Sequence, residues 1–434
     1  MYLLHLFTLF MIAPKIDLIG FGGSALRAED FIWLTAVIFH VVKQRKFRST
    51  TYPPHFRWFF AYLLISIISF VINVRDAGFG GIFYILRQLQ YCSWGMMALS
   101  VAPSLKREEV SKHLQFIGVL LSIWGALEFA GLIPKVGKFS AATGRLSINT
   151  TGPFEASVLL VALGFAARNL FLKGGLMVVM LLTQARITLL GAVAAALAAR
   201  PRLIVPAFVG AVAVLAALPL IKPLLEDTRF SETQKPTEMV ENIGFMWGAA
   251  PTFKSRREFL VGAGYLDKES SDYFTVLQSR RGDVSFSIRA YRWSFIIKTW
   301  CNNFVQILVG YSPGYFGQGV DSNVVRLIGE SGLIGGAFFV IFVFNLLKFK
   351  RSTLTWATTM CMVVTAIFID IFWSSKVMTL LWFVSSWELV HSKSLANPMS
   401  RLPVAGAALE GWGRPGRARG RAKYLRSGES NNVG

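Results

Sequence analysis

The sequence predicts an all-α polytopic membrane protein, and three observations carry that prediction. Apolar residues make up 53% of the 434 residues, mean hydropathy is +0.50, and only 16% are charged, where soluble domains carry about 25%. Lys and Arg number 45 against 24 Asp and Glu, a formal charge of +21. The apolar residues fall in runs separated by basic clusters, as expected when a bilayer holds the runs and the charges lie in loops. A nucleic-acid binder this basic would not be this apolar, so that class is excluded.

The runs lie near residues 1–13, 31–42, 58–74, 79–102, 114–133, 154–172, 175–199, 203–221, 324–347, 354–373 and 376–391. The first, MYLLHLFTLFMIAPKID, has no basic stretch before it and no small-residue cleavage site, so it reads as a retained segment. Basic clusters follow at Lys43–Arg57, at Lys106, Arg107 and Lys112, at Arg168 and Lys173, at Arg200 and Arg202, and at Lys348, Lys350 and Arg351. With the tail after Val390, they place 23 basic residues against four acids on one side. That is the positive-inside bias, with both termini expected on the cytoplasmic side.

The bias holds only if the 175–199 run crosses twice. A single span would bury Arg186 at mid-membrane, at about 2.5–3.5 kcal/mol or more. Two shallow or tilted halves of about 12 residues, with their turn at Arg186 facing outside, avoid that cost and bring the total to about twelve segments. By the same parity residues 222–323 form a large outer region, nearly neutral with twelve basic and eleven acidic residues. It is too long for a simple connector. Its stretch SFSIRAYRWSFIIKTWCNNFVQIL reads as an amphipathic helix on the outer membrane surface. The plan is therefore an N-terminal bundle (1–221), the outer region (222–323), three C-terminal helices (324–391) and a basic, disordered tail (392–434).

Candidate chemistry is sparse. Cys92, Cys301 and Cys361 offer no disulfide framework, and no Cys/His cluster suggests a metal, so neither metal nor cofactor is expected. His5, His40, His55, His113 and His391 all fall near the inside or in the first span, which leaves the outside without a histidine base. What the outside has is arginine: Arg145, Arg186, Arg289 and Arg292. Guanidinium groups bind phosphates bidentately and keep their charge; the alternative is snorkelling to lipid headgroups, which weighs more for Arg292 than for Arg186 in its otherwise apolar hairpin. Asp321 and Glu155 lie at the outer rim, where a carboxylate can act as a base. Asp321 could instead cap the helix that follows, and Glu330 could pair with Arg326 four residues earlier. Glu128, Asp370 and Glu388 read as contacts between helices. The glycines of ESGLIGG would let helices approach closely.

Three pieces, in this order, resemble the bacterial O-antigen/exopolysaccharide polymerase and O-antigen ligase superfamily. RLSINTTGPFEASVLLVAL is similar to the family's "R…G-x-F-E-P-S" loop, matching at Gly152, Phe154, Glu155 and Ser157, with Ala156 in place of proline. LLTQARITLLGAVAAALAA is similar to "L-T-x-S-R-x-x-L-L", with Arg186 at the arginine and Ala185 where serine is common. IRAYRW and the later GYFGQGVDSNVVRLIGESGLIGG are similar to "R-x-x-x-W … G-x-G … D/H-S/N … L-x-x-x-G-L-I-G", matching at Arg289, Trp293, Gly317, Gly319, Asp321, Ser322, Gly332 and Gly335.

The resemblance covers residues 145–335 and implies a GT-C-like membrane fold and a metal-independent glycosyltransferase. Its donor would be a polyprenyl-diphosphate-linked oligosaccharide. Arg186 and Arg289, with Arg145 and Arg292, would hold the diphosphate, and Asp321 or Glu155 would orient or deprotonate the acceptor. Ligases of the family typically carry histidine where this chain has Asp321, and polymerases often carry Asp-Ser, so the resemblance favours a polymerase over a ligase. A chain-length regulator and membrane lipids are the implied partners, with no nucleic acid. The rival from another class is a lipid-oligosaccharide flippase or secondary transporter, but no internal repeat of the transporter kind is visible.

Overall fold

The structure is a computed structural model that describes residues 1–21, 24–44, 52–136, 144–150, 152–200, 236–263, 284–317, 320–351 and 353–396. The apolar run 203–221, the rest of 201–235, residues 264–283, Gly319 and the tail beyond 396 lie outside the described residues. Residues Met1–His391 make one compact unit, and everything below concerns it.

Helix α1 (Tyr2–Ile12) leads into a short antiparallel pair, β1 (Asp17–Phe21) and β2 (Ser24–Arg27), and then α2 (Ala28–Gln44). Next come α3 (Pro54–Ala77), α4 (Gly80–Val101), α5 (Arg107–Phe129), α6 (Pro153–Ala166), α7 (Leu170–Leu182) and α8 (Arg186–Ala199). The later part holds α9 (Pro236–Ala249), α10 (Arg256–Gly262), α11 (Val284–Cys301), α12 (Phe304–Val309), α13 (Asn323–Leu347), α14 (Leu354–Ala366) and α15 (Ser375–Ala396). Helix starts follow local chemistry. Pro54 and Pro153 open α3 and α6, where the missing N–H costs nothing. Glu29, Asp30, Glu108 and Glu109 sit in the first turns of α2 and α5, where the helix dipole favours acids. Asn169, Ser322 and Thr353 cap α7, α13 and α14 with their side chains.

Helices α3, α5 and α13, of 24, 23 and 25 residues, are long and apolar enough to cross a membrane, reaching roughly 35 Å at 1.5 Å per residue. Their outward faces carry exposed Leu64, Val71, Phe116, Ile123, Val340 and Phe344. This is the signature of a membrane protein.

Contacts sort the helix ends into two groups. At one end His5 meets His113 at 5.0 Å, His40 meets Ser100 Oγ at 3.0 Å, and His55 meets Phe349 at 6.0 Å. At the other, Lys376 donates to Met11 O, Ser375 to Glu29, and Arg87 at the start of α4 to Asp30 at the start of α2. All of the histidines with a described contact lie toward the first end, and the candidate residues gather at the second.

Two hydrophobic cores form. The larger is built from α1, α3–α8 and α13–α15 around Trp94, Trp382, Phe59 and Phe342. The smaller is aromatic, with Phe253, Phe259, Phe295, Tyr311, Tyr315 and Phe316 packed between α9, α10, α11 and the loop after α12. Asp76 at the end of α3 ties it down, accepting from Arg256 N at 3.2 Å and from the Tyr315 hydroxyl. Helix α11 contributes more to this core than its sequence suggests. Phe286, Ala290, Tyr291, Phe295 and Ile296 are buried on several faces, so α11 is a core-forming helix of the second cluster.

The ESGLIGG glycines also divide by role. Gly332 has φ +64°, and a Cβ there would meet Leu308 O at 2.3 Å, so it marks a kink where α13 passes under α12. Gly335 faces α3, where a Cβ would lie 3.3 Å from Ile65. It lets α3 and α13 pack closely, with Tyr62 against Phe339 and Phe59 against Phe342, each pair at 5.1 Å.

Candidate active site

The site lies at the second end, where the two cores meet: Val320 and Val325 belong to the aromatic core and Leu327 to the larger one. Between them Asp321 holds φ +54°. Aspartate enters this left-handed region more readily than most residues but not without strain. Ser322 caps α13, accepting from Val325 N at 3.4 Å and donating to Ile367 O at 2.8 Å. The capping reading of Asp321 is therefore corrected: its carboxylate is turned away from the helix, its side chain is 37% exposed, and it lies 3.4 Å from Arg289 Nε.

Arg289 reaches the rim from α11, and Trp293 one turn later fixes the register by donating to Val320 O at 2.7 Å. The Arg289 guanidinium also lies over the Phe154 ring, 6.0 Å from its centre. Arg145 stacks on the same ring at 4.7 Å. One phenyl ring at the start of α6 thus gathers two guanidinium groups from distant parts of the chain, in contacts of the cation–π kind.

Arg145 has a second task. Its Nε donates to Thr183 O and its Nη2 to Gln184 O, both at 3.0 Å. It clamps the three-residue break between α7 and α8, where Gln184 takes φ +54°. The chain thus reverses just before Arg186, at the position the sequence assigns to a hairpin turn. Arg186 opens α8 half-buried. Ser157 Oγ donates to Thr188 Oγ1 at 2.8 Å and joins α6 to α8 beneath it. Three of the four non-glycine residues with positive φ among the described residues, Ile148, Gln184 and Asp321, lie in the loop, turn and cap that form this rim. Such strain persists only where surrounding contacts hold it, and it concentrates at functional sites.

Two expected site residues are placed differently. Glu155 does not face an open rim. It is buried, with Lys15 Nζ at 2.6 Å on one oxygen and Ser374 Oγ at 2.6 Å and Lys376 N at 3.2 Å on the other. Lys376 Nζ in turn donates to Met11 O and Ala13 O. A buried carboxylate so engaged pins α1, α6 and α15 together and does not face an open site. Arg292 donates to Ala263 O at 3.2 Å, which holds the end of α10 rather than joining Arg289 at the ring.

Sequence reasoning missed Phe154 as the gathering ring and passed over Asp370. Asp370 Oδ2 lies 3.0 Å from Arg326 Nη2, and Arg326 also donates to Gly317 O at 2.6 Å. Burial pushes the Asp370 carboxyl up to about 6, with Arg326 opposing that shift. With Phe372 N donating to Asn323 Oδ1 at 3.0 Å, the loop after α14 grips the Asp321 turn from behind. Glu330 is fully buried, with one oxygen 4.0 Å from Arg326 Nη1, as its spacing suggested. Among the described residues no group of three or more His, Cys, Asp or Glu could hold a metal ion. Comparison with protein-family models, curated proteins and solved structures finds no match to this chain.

Proposed function

We propose that the chain is a metal-independent membrane glycosyltransferase that joins polyprenyl-diphosphate-linked oligosaccharide units into a surface polysaccharide on the outer face of the bacterial inner membrane. The observation that carries this reading is Arg289, held between the exposed Asp321 carboxylate and the Phe154 ring, beside the clamped turn that presents Arg186. A permanent cation next to a carboxylate at a bilayer rim suits a reaction whose leaving group is a lipid diphosphate and whose nucleophile is a sugar hydroxyl. The polymerase resemblance of the surrounding motifs, with Asp-Ser at 321–322, favours repeat-unit joining over transfer to a lipid A core.

In the proposed step the acceptor hydroxyl oxygen forms a bond to the donor's anomeric carbon. The bond from that carbon to the diphosphate oxygen breaks, and its electron pair leaves with the diphosphate. Asp321 takes the hydroxyl proton, and Arg289 and Arg186 neutralise the charge growing on the leaving oxygen. Preorganised cations in a partly dry site stabilise such charge strongly. A single displacement inverts the anomeric configuration.

The reading includes a twelve-segment GT-C-like arrangement with both termini cytoplasmic. Its support is the alternation of the helix ends, in which the eleven helices α1–α8 and α13–α15 run back and forth between the two groups, with the 203–221 run supplying the twelfth. The experiment is extension of lipid-linked repeat units by purified protein in proteoliposomes. Wild type should build polymer, and the Arg186→Ala/Arg289→Ala double variant should not. Normal extension by that variant refutes the reading. In a deletion strain, single repeats held on the outer face fit a polymerase, long polymer on its carrier a ligase, and repeats trapped inside a flippase.

A further inference from the structure

A cavity distinct from the Arg289–Asp321 rim lies deeper along the same helices. It occupies about 400 Å3 between α6, α7, α8 and α14, within the range of small-ligand sites. It begins near Leu160, six residues below Phe154, and runs toward the opposite end of the same helices. Its walls are apolar: Leu160, Phe165, Met177, Met180 and Ala196 are among its lining residues. At Gly164 an added Cβ would meet nothing within 4 Å, so the slot is open there.

Its mouth is cationic. Lys173 comes from the first turn of α7, Arg200 from the end of α8, and Arg351 from the turn before α14. All three are exposed and none has an acidic partner among the described residues. Glu388 behind the mouth is engaged elsewhere, accepting from Leu354 N at 2.9 Å and Thr355 N at 3.0 Å. Beside Lys173, Leu170 and Phe171 stand 81% and 90% exposed, the pairing of bare apolar side chains with cations that marks a bilayer interface.

An apolar slot closed by three cations from separate elements matches one chemical shape: an anionic headgroup on a hydrocarbon chain. The geometry points to a binding site for a single phosphate-headed membrane lipid, its headgroup on Lys173, Arg200 and Arg351 and its chain between α6 and α8. This site lies in the leaflet opposite the rim and is independent of the glycosyl-transfer reading. Because its walls are the helices that carry Phe154 and Arg186, an occupant would brace the rim from below.

The test is native mass spectrometry of the purified full chain in a neutral detergent, titrated with phosphatidylglycerol, phosphatidylcholine or inorganic phosphate. One phosphatidylglycerol per chain should bind, at least tenfold more tightly than phosphatidylcholine, with no retention of inorganic phosphate. The Lys173→Gln/Arg200→Gln/Arg351→Gln variant should weaken that binding at least tenfold. Gly164→Phe, which fills the slot and leaves the charges in place, should weaken it as well. Both variants should keep the wild-type melting temperature measured without added lipid. Equal binding of the two lipids overturns the proposal, as does equal binding by wild type and both variants. A photo-crosslinker at Met177 should label the lipid; capture of residues 203–221 instead would show that the chain fills its own slot and would also overturn it.

Discussion

Two charged clusters at the same end of the molecule differ in what surrounds them. Around Glu155, the Lys15 ammonium, a serine hydroxyl and the Lys376 backbone N–H close on one buried carboxylate, while the Lys376 ammonium is taken up by Met11 O and Ala13 O at the end of the first helix. Around Asp321, one arginine approaches at 3.4 Å and a third of the carboxylate side chain stays open to solvent. The sequence presents these two acids alike, as carboxylates beside spans. A buried charge must be fully partnered because desolvation is so costly, and full partnering leaves nothing for a substrate. A half-exposed pair keeps lone pairs and donors that an incoming group can use. Closure marks structure here, and openness is what the proposed chemistry requires.

The sharpest way to break the comparison is Glu155→Ala. It strands the Lys15 ammonium in the interior, and losing one partner of a buried pair costs about 3–5 kcal/mol. Chemical unfolding in detergent should show that loss. A variant that unfolds like wild type yet fails in transfer would put Glu155 in the chemistry instead. Next in size, Arg289→Ala should lower polymer extension by about 10²–10³-fold, the range for removing one preorganised charge-stabilising group, while its unfolding midpoint stays close to wild type. Arg289→Lys should recover little, since an ammonium lacks the planar fork.

Asp321→Asn isolates proton transfer from fold. Asparagine tolerates the left-handed backbone as aspartate does, so stability should hold while extension falls about 10²-fold or more, the lower range for losing a general base. Equal extension by the variant would reduce Asp321 to an anchor for Arg289. The smallest effect concerns the loop behind the rim. Burial favours the neutral Asp370 carboxyl in the folded chain, raising it from 3.8 to about 6. This group's contribution to stability is therefore greatest below its ordinary value and is lost as pH rises through about 6. Asp370→Asn removes that titration. The melting temperature of wild type minus that of the variant should fall between pH 4 and 6.5 and stay flat from 7 to 8. A constant difference across the whole range would show that Asp370 does not titrate there.

Much of the architecture was legible from one-dimensional patterns. The hydropathy runs locate α3, α5 and α13, and the break before Arg186 follows from the cost of a charge at mid-span. The loop motifs single out Arg145, Arg289 and Asp321, which the folded chain does bring to one rim. The site's composition was less legible. Phe154 gathers two arginines but reads in sequence as one more aromatic at a helix start. Trp293 matches a motif, yet its reason, the bond to Val320 O, appears only in three dimensions. The aromatic density of 286–316 signals burial as readily as a membrane surface, and only the partners in α9 and α10 show which of these side chains are buried.

The sequence by itself determined where apolar length, caps and prolines start and stop the helices, because those signals act over one to a few turns. It also determined that clusters of basic residues separate the apolar runs, while the isolated Arg87, Arg326 and Lys376 fall inside helices. Tertiary structure decided which charges are buried among partners and which stay open to solvent. Glu155 meets Lys15 across 140 residues and Ser374 across 219, and no local pattern encodes such a meeting. The energy of a buried ion depends on every group packed around it, so the difference between a closed carboxylate and an open one exists only once the chain has folded.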